Sequence, residues 1–332
     1  MYKRILVPLD GSRRAESAVL AAARLARASH GTVILMGVVA PTITENAPTI
    51  PTIPTTPGSL FSTSADGEQA RDRTTRYLES VADAQALSGI PTRIHVLEGS
   101  AAERILNSAR SEGADLIVIC ARGMSGFHRW KLGSVSHHVV RHAECPVLLL
   151  PDPAPGAIPE DLVDQLASVR CALAPLDGSP LSEAAIPAAL DILAALAPDT
   201  GEIQLFRAVS PFTEENRHLA DEDLLRQAYA YLTRIADRLR ATPTEHLHLT
   251  ITTAAELDTD SAERIIEIAE PASGGRRDGA PARGCDLIVM ATHGRSGILR
   301  WALGSVTERV MQATRLPLLV VRPFAADDLY NM

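Results

Sequence analysis

The chain has 332 residues, of which 46% are hydrophobic and 22% are charged, and its formal net charge is −8. That length predicts two domains, each large enough to bury its own core. A negative charge without a basic stripe argues against a nucleic-acid-binding protein, and no apolar run is long enough to cross a bilayer, so we expect no membrane partner.

Strands and helices alternate through the first half of the chain. Apolar runs predict strands at 4–9, 32–39, 92–97, 116–120 and 146–150, and helical spacing is present at 15–29, 69–88, 101–111 and 134–141. Residues 40–67 are rich in Pro and Thr and have no period. We expect them to form a long loop that is mobile or acts as a lid.

The same order of elements then repeats. Residues 1–151 are predicted to form the first domain, 152–168 a proline-containing linker, 169–324 the second domain and 325–332 a tail. The second set of strands is predicted at 171–176, 203–209, 247–252, 285–290 and 316–321, with helices at 181–196, 223–240, 260–269 and 306–311. Residues 271–284 are an insertion without a counterpart, which we also expect to be mobile or lid-like.

This alternation predicts the fold class. Crossover helices between buried apolar strands are typical of a parallel, doubly wound α/β sheet, here with five strands per domain and helices on both faces. Ligands in such sheets bind beyond the carboxyl ends of the strands, where the strand order reverses. The last strand of each half is short and apolar and is predicted at a sheet edge. We expect these two strands to pair within one chain, as an intramolecular pseudo-dimer.

One loop sequence occurs twice. Residues 291–305 and residues 120–134 align without a gap, 171 residues apart, and share their glycines, an Arg-Trp step and a Leu-Gly-Ser ending. Each follows a strand and opens a helix, so glycines and free helix-end amides predict an anion site. The alternative is purely structural, because Ser305 followed by Glu308 also fits a capping box.

Each half resembles the universal stress protein (UspA) family. The resemblance covers nearly all of both halves and depends on the Gly-x2-Gly-x9-Gly-Ser/Thr motif, whose x9 spacing separates Gly123 from Gly133 and Gly294 from Gly304. A Pro-x-Asp-Gly-Ser opening occurs at 8–12 and at 175–179. The resemblance implies a sheet order of 3-2-1-4-5 in each half and bound ATP, alone or with Mg²⁺.

The resemblance also implies which residues bind the nucleotide. In ATP-binding members, the aspartate after strand one and a backbone group at the end of strand two hold the adenosine, whereas the glycine loop and the following amides hold the phosphates. The matching residues are Asp10, Val38, Cys120, Gly123, Gly133, Ser134 and Val135 in the first half, and Asp177, Ala208, Ala291, His293, Gly294, Arg295, Gly304, Ser305 and Val306 in the second.

The residues themselves leave alternatives open. Asp10 and Asp177 could be helix caps instead of ligand contacts. The motif's first glycine is replaced by Cys120 in one half and by Ala291 in the other, which narrows the approach of a phosphate. Because alanine adds only a methyl group, and because of the capping box, we expect the second half to bind more tightly.

Three functions remain from the sequence. The first is a nucleotide-binding stress or signalling protein that is non-catalytic or at most a slow ATPase, since no Gly-x4-Gly-Lys loop or activated nucleophile is evident. The second is a nucleotide-free scaffold or interaction module. The third is an adenylating enzyme, disfavoured because the Ser-Gly-Gly-x-Asp-Ser loop is missing after strand one.

The remaining signals concern metals, thiols and assembly. His138 and His142 are one helical turn apart, but without a third ligand we expect no metal site. The four cysteines lack metal-like spacing and lie in or beside apolar segments, which is typical of buried thiols in a reducing compartment. Because no signal-peptide pattern is present, we expect a cytoplasmic protein. A homodimer is an additional form that the sequence leaves open.

Overall fold

A computed structural model of the chain describes residues 1–40, 64–121, 132–151, 169–211, 217–242, 247–271, 276–277, 280–281, 284–293 and 303–323. The predicted linker 152–168 and the tail from 325 lie outside these residues, so the predicted domain boundaries stay predictions. Most of the loop at 40–67 and most of the insertion at 271–284 also lie outside them.

The first half contains five strands. The elements in chain order are β1 (Arg4–Leu9), α1 (Arg13–Ser29), β2 (Thr32–Val39), α2 (Ser64–Ala82), a 3₁₀ turn (Gln85–Leu87), β3 (Thr92–Glu98), α3 (Ala101–Ser111), β4 (Leu116–Cys120), α4 (Ser134–His142) and β5 (Val147–Leu150). β2 is buried along nearly its whole length, as its unbroken apolar run predicts.

The second half repeats this order. Its elements are β6 (Cys171–Pro175), α5 (Pro180–Glu183), α6 (Ala185–Leu196), β7 (Gly201–Val209), α7 (Arg217–Ala241), β8 (Leu249–Leu257), α8 (Ser261–Ala269), β9 (Arg276–Arg277), β10 (Ala280–Pro281), β11 (Leu287–Ala291), α9 (Ser305–Ala313) and β12 (Leu318–Val321).

Ten of these strands form one continuous sheet in the order β3-β2-β1-β4-β5-β12-β11-β6-β7-β8. Each half therefore has the expected 3-2-1-4-5 order with parallel pairing, and the doubly wound fold is confirmed. The halves join where β5 pairs antiparallel with β12, with Leu318 opposite Leu149 and Val320 opposite Val147. The expected pairing of the two final strands is thus present.

Several predicted boundaries are wrong. α2 ends at Ala82 instead of residue 88. It begins at Ser64 instead of residue 69, because a single helical glycine, Gly67, costs only about 1 kcal/mol and does not block a helix. α7 likewise begins at Arg217. β8 continues to Leu257, since every residue from Leu249 onward pairs with β7 and pairing outweighs weak strand propensity. In the insertion, β9 and β10 form a small antiparallel pair.

Two apolar layers cover the sheet. One face packs against α1, α2, α6 and α7, and the other against α3, α4, α8 and α9. Both layers continue across the β5–β12 join, where alternate residues of the two strands face opposite sides. The amino terminus adds contacts between the halves, since the Met1 amino group lies 2.7 Å from Asp191 Oδ1 and Tyr2 Oη donates to Ala188 O at 3.5 Å.

Candidate functional site

The sheet register brings the expected adenosine-side residues together at one rim. Leu6 pairs with Ile117 and Leu9 pairs with Gly37, so Asp10 emerges level with Val38 and beside the end of β4. The second half repeats this arrangement, because Leu173 pairs with Ile288 and Pro175 pairs with Phe206. Asp177 therefore emerges level with Ala208 and beside the end of β11, at the point where the strand order reverses.

The two aspartates are not helix caps. Asp10 Oδ1 accepts a hydrogen bond from the Ser12 amide at 3.0 Å, and it is Ser12 that caps α1 through the Ala15 amide. Asp177 Oδ1 accepts from both the amide and the hydroxyl of Ser179, at 2.9 and 2.7 Å. The aspartates thus fix the turn, and the serines cap the helices.

Asp10 and Asp177 differ in exposure. Asp10 is exposed, whereas Asp177 is half-buried. A half-buried carboxylate forms stronger hydrogen bonds than one surrounded by water, because the local dielectric is lower. The second-half aspartate is therefore the better placed of the two to accept a hydrogen bond from a hydroxyl group.

The helices after the glycine loops, α4 and α9, begin without a side-chain cap. Gly133 and Gly304 occupy the N-cap positions in extended conformation, and a glycine has no side chain with which to accept from the first turn. The predicted capping box is therefore wrong. Ser305 is already the first helical residue, and the Glu308 amide donates to the Gly304 carbonyl at 2.9 Å.

Each of these helix starts is fastened to the preceding strand in the same way. The Gly133 amide donates to Ala121 O and the Gly304 amide to Thr292 O, both at 2.8 Å. One turn on, Ser136 Oγ donates to Cys120 O at 2.8 Å and Thr307 Oγ1 to Ala291 O at 2.9 Å. The amides of Ser134, Val135, Ser305 and Val306 lie in the first turns, where helix geometry provides no carbonyl partner. These helix ends suit an anion.

His293 presents an orphaned nitrogen beside the second helix start. Its Nδ1 lies 2.9 Å from Thr292 Oγ1, while its buried Nε2 has no hydrogen-bond partner among the described residues. Burial, with a smaller effect from Arg322, lowers the pKa of His293, so the ring is neutral at pH 7. If the Thr292 hydroxyl donates to Nδ1, the proton is on Nε2, which is then a buried donor that needs an acceptor.

The residues at the motif's first glycine position are both buried. Cys120 Sγ lies 2.9 Å from the carbonyl oxygen of Arg14, so the thiol is directed at the first turn of α1. Ala291 is 7% exposed at the end of β11. The larger side chain of Cys120 is thus accommodated against α1, which removes part of the reason for expecting a narrower phosphate site in the first half.

A tyrosine–glutamate pair braces the turn in each half, and the sequence analysis missed it. Tyr77 Oη donates to Glu16 Oε1 at 3.3 Å, and Tyr231 Oη donates to Glu183 Oε1 at 3.0 Å. Burial and then the neighbouring glutamate raise the pKa of each tyrosine. Aligning the halves on their Asp-Gly-Ser turns would have revealed the repeated glutamate four residues after the serine.

Arg207 distinguishes the second site from the first. Arg207 lies on β7 at the position that Gly37 occupies on β2 in the first half. Its Nη1 lies 2.9 Å from where a Cβ on Gly178 would be. Its guanidinium also lies over the Tyr231 ring, 5.2 Å from the centroid. A cation therefore covers the Asp177 turn and raises the local potential for an anionic ligand.

Other expected features lie elsewhere. Gly123, Gly294 and Arg295 are outside the described residues. The His138 and His142 rings stack with centroids 4.1 Å apart. A cavity of about 470 Å³ lies at the opposite rim, at the amino ends of β4 and β5, and is lined by Asp115 and Cys145 among others, so it is separate from the rim described above.

Similar proteins were found by sequence and by structure. The profile described as "Universal stress protein family" matches residues 1–151 and 170–322. A universal stress protein of Mycolicibacterium smegmatis is 27% identical, over 96% of this chain and 97% of its own length. One from Thermus aquaticus is 36% identical over 45% of this chain and 99% of its own.

Among solved structures, a universal stress protein from Archaeoglobus fulgidus covers 96% of this chain and 98% of its own, with 17% identity and a TM-score of 0.63. At that identity the likeness concerns the fold alone. No helix in the described ranges has the length and apolar character needed to span a membrane.

Proposed function

The chain belongs to the universal stress protein family, and from that premise we propose that it binds an adenine nucleotide, ATP, at the carboxyl rim of its sheet. The observation that carries the proposal is a contrast between helix starts. α1, α5 and α8 have side-chain caps from Ser12, Ser179 and Asp260. α3 begins at Ser100 without such a bond, and only α4 and α9 among these helices begin at a glycine, which has no side chain that could occupy the site of an anion. Uncapped helix ends in both halves are suited to phosphate.

The residues at the rim fit such a ligand. Bound ATP would supply a chain of negative phosphates, for which the first-turn amides of α4 and α9 are donors. Asp10 and Asp177 would accept from the ribose, and the backbone at Val38 and Ala208 would face the adenine. The orphaned Nε2 of His293 would gain an acceptor. Bound Mg²⁺ would be held mainly by the phosphates and by water, as is usual for Mg²⁺ that accompanies a nucleotide.

We propose binding without turnover, or with slow ATP hydrolysis at most. The sequence contains no Gly-x4-Gly-Lys phosphate loop. The rim residues described above are suited to binding the ligand through hydrogen bonds. His293 would donate a hydrogen bond to the ligand through Nε2 when Nδ1 accepts from Thr292, and Asp177 already accepts two from Ser179. We therefore expect the protein to act by binding or releasing the nucleotide and not by converting it.

Titration of ATP into the purified chain by calorimetry tests this proposal. His293→Leu should weaken binding about tenfold, the loss expected for one hydrogen bond of about 1.5 kcal/mol to a charged group. His293→Gln, which can still donate, should recover most of the affinity. His95→Leu is the matched control, since His95 lies on β3 near Glu112 and away from the helix starts.

The same preparation separates the two leading functions. Denatured protein should release adenine nucleotide detectable by mass spectrometry, or the wild type should bind added ATP. If neither occurs, nucleotide binding is wrong and the nucleotide-free scaffold is the better description.

Assembly and location are part of the proposal. The β5–β12 pairing, with His137 Nε2 3.5 Å from Glu308 Oε1 at positions 171 residues apart, supports an intramolecular pseudo-dimer with a two-fold axis between α4 and α9. Homodimerisation and a cytoplasmic location stay predictions from the sequence.

A further inference from the structure

Two cysteines lie almost in bonding contact beneath the second-half sheet. Cys171 Sγ and Cys285 Sγ are 2.7 Å apart, although the residues are 114 positions apart in sequence. Cys171 begins β6, and Cys285 lies two residues before β11. Both side chains pack against the same apolar layer, which places the sulfur atoms on one face of the sheet. A disulfide bond has an S–S length of about 2.05 Å, so the two sulfur atoms need to move only slightly closer to form one.

The backbone holds both cysteines in place. The Cys171 amide donates to Asp286 Oδ2 at 2.9 Å, and the Asp286 amide donates back to the Cys171 carbonyl at 2.9 Å. The Cys285 amide donates to Ala269 O at 3.0 Å. Two main-chain hydrogen bonds and one bond to the Asp286 carboxylate therefore hold the cysteines so that their thiols face each other, and none of these bonds has to break for a disulfide to form.

The fold does not need this pair. In the first half, alignment of the strands places Arg4 at the position of Cys171 and Ala114 at that of Cys285. There the Arg4 guanidinium covers Gly113, with Nη2 3.0 Å from where a Cβ would be. The same strand pair thus forms with a cation across it, and the facing cysteines are a feature of the second half.

We propose that Cys171 and Cys285 are an oxidative modification site at which hydrogen peroxide produces an intramolecular disulfide. Cys171 is half-buried and Cys285 is buried, so Cys171 is the sulfur that meets the oxidant first. Its thiolate attacks one peroxide oxygen and the O–O bond breaks. The released hydroxide takes up a proton to become water, and Cys171 becomes a sulfenic acid.

Cys285 then completes the bond. Its sulfur attacks the sulfenic sulfur, the S–O bond breaks, and the thiol proton leaves with the hydroxyl as a second water. Two thiols and one peroxide thus give one disulfide and two waters. The contact with Cys171, together with burial, raises the pKa of Cys285, so its proton must pass to the departing hydroxyl as the S–S bond forms.

The new bond would fasten β6 to β11 at their amino ends. These strands carry Asp177 and the glycine loop at their other ends, so the bond lies at the opposite rim from the proposed nucleotide site. It would close a long stretch of chain and reduce the freedom of the unfolded state. The oxidised protein should therefore melt at a higher temperature than the reduced one, whether or not nucleotide binds.

Thiol mapping on the full chain tests the proposal. Reduced protein is treated with hydrogen peroxide, denatured, alkylated and digested for mass spectrometry. Two of the four thiols should escape alkylation, and a peptide pair joined through Cys171 and Cys285 should appear, lighter by two hydrogens. Cys171→Ser and Cys285→Ser should each abolish the joined pair and the rise in melting temperature.

Cys145→Ser is the matched control. Cys145 is also half-buried, and burial raises its pKa to about 12, yet its replacement should leave the joined pair intact. The proposal is overturned if oxidised wild type keeps four alkylatable thiols, or if the bond joins two chains or involves Cys120 or Cys145. Melting of the reduced variants checks their folding, and mapping of the wild type decides the matter even if a variant is unstable.

Discussion

The two halves share one framework and differ where side chains reach its rims. At the carboxyl rim, Gly11 has open space above it, whereas Gly178 in the matching turn is covered by Arg207. After the third strand, Gly99 turns with a φ of +135°, whereas the second half passes the same point through Asp258 and one additional residue. The shared strand order shows that the buried apolar strands and the helices between them specify the framework. The loops at each rim are free to differ between the halves.

This divergence has a direction. The second half adds a cation beside its aspartate, an orphaned imidazole nitrogen beside its glycine loop, and a half-buried position for the aspartate itself. Each of these strengthens attraction to an anion in a region of low dielectric. We therefore expect unequal sites, with the second half binding nucleotide more tightly than the first.

The largest effect should come from the N-cap glycines. A Cβ at Gly304 would lie 3.1 Å from Thr292 O, so Gly304→Val must displace the first turn of α9 as well as crowd a phosphate. Loss of two charge-assisted hydrogen bonds, at about 1.5 kcal/mol each, predicts roughly 100-fold weaker ATP binding by calorimetry. Gly133→Val should remove a smaller share. If Gly133→Val removes the larger share, the first half is the main site.

The aspartates should give the next largest difference. Asp177→Ala removes a half-buried acceptor that holds both the amide and the hydroxyl of Ser179, so we expect about tenfold weaker ATP binding. Asp10→Ala removes an exposed acceptor bonded to the Ser12 amide and should cost less. Equal losses measured by calorimetry would mean that burial does not separate the two sites.

The tyrosine–glutamate braces test stability instead of binding. Tyr231→Phe should lower the free energy of unfolding by about 1 kcal/mol, because Glu183 then loses a donor at 3.0 Å in a partly buried setting. Tyr77→Phe breaks a longer bond of 3.3 Å to Glu16 and should cost about half as much. Urea denaturation followed by circular dichroism measures both. A larger loss for Tyr77→Phe would contradict the ranking.

The sequence predicted the framework because its signals are local and repeated. Unbroken apolar runs located the strands, and the second copy of the glycine loop fixed the order of elements. It also identified Asp10 and Asp177 at the rim. It misplaced the cap of α9 because Ser305 and Glu308 have capping-box spacing, yet Gly304 adopts the extended conformation that a cap requires. Which residue becomes the N-cap depends on the hydrogen bond from the Gly304 amide to Thr292 O, and the spacing of residues in the sequence does not reveal that bond.

Contacts between distant residues were beyond the sequence for a different reason. Cys171 meets Cys285, and Arg207 covers Gly178, only because strand pairing aligns positions far apart in the chain. The spacing of the four cysteines and their apolar neighbours predicted buried thiols in a reducing compartment. Which two sulfur atoms face each other depends on the strand register, which that spacing does not reveal. Comparing the halves position by position gives the missing signal, because each of these residues replaces a different side chain in the other half.

The smallest expected difference is electrostatic and appears in the pH dependence. Arg309 donates to both carboxylate oxygens of Asp260, the N-cap of α8, and this contact lowers the pKa of Asp260. A lowered carboxyl pKa gives stability that is present above the unfolded value, about 4, and is lost as pH falls through the folded value. Melting temperatures of wild type and Arg309→Ala should therefore differ slightly at pH 7 and converge below pH 4.

The matching position in the first half is His138, and it should behave differently. The Ser100 side chain does not cap α3, and a partial loss of contact with water, with a contribution from His142, lowers the pKa of the exposed His138. A lowered histidine pKa costs stability once pH drops below the unfolded value of about 6.5, because the unfolded chain then binds the proton more readily. His138→Ala should thus protect the protein slightly once the pH falls below about 6.5, and this protection should persist near pH 4 without convergence. Arg309 and His138 are both exposed, so a large change in the stability of either variant would show that these contacts matter more than surface charges normally do.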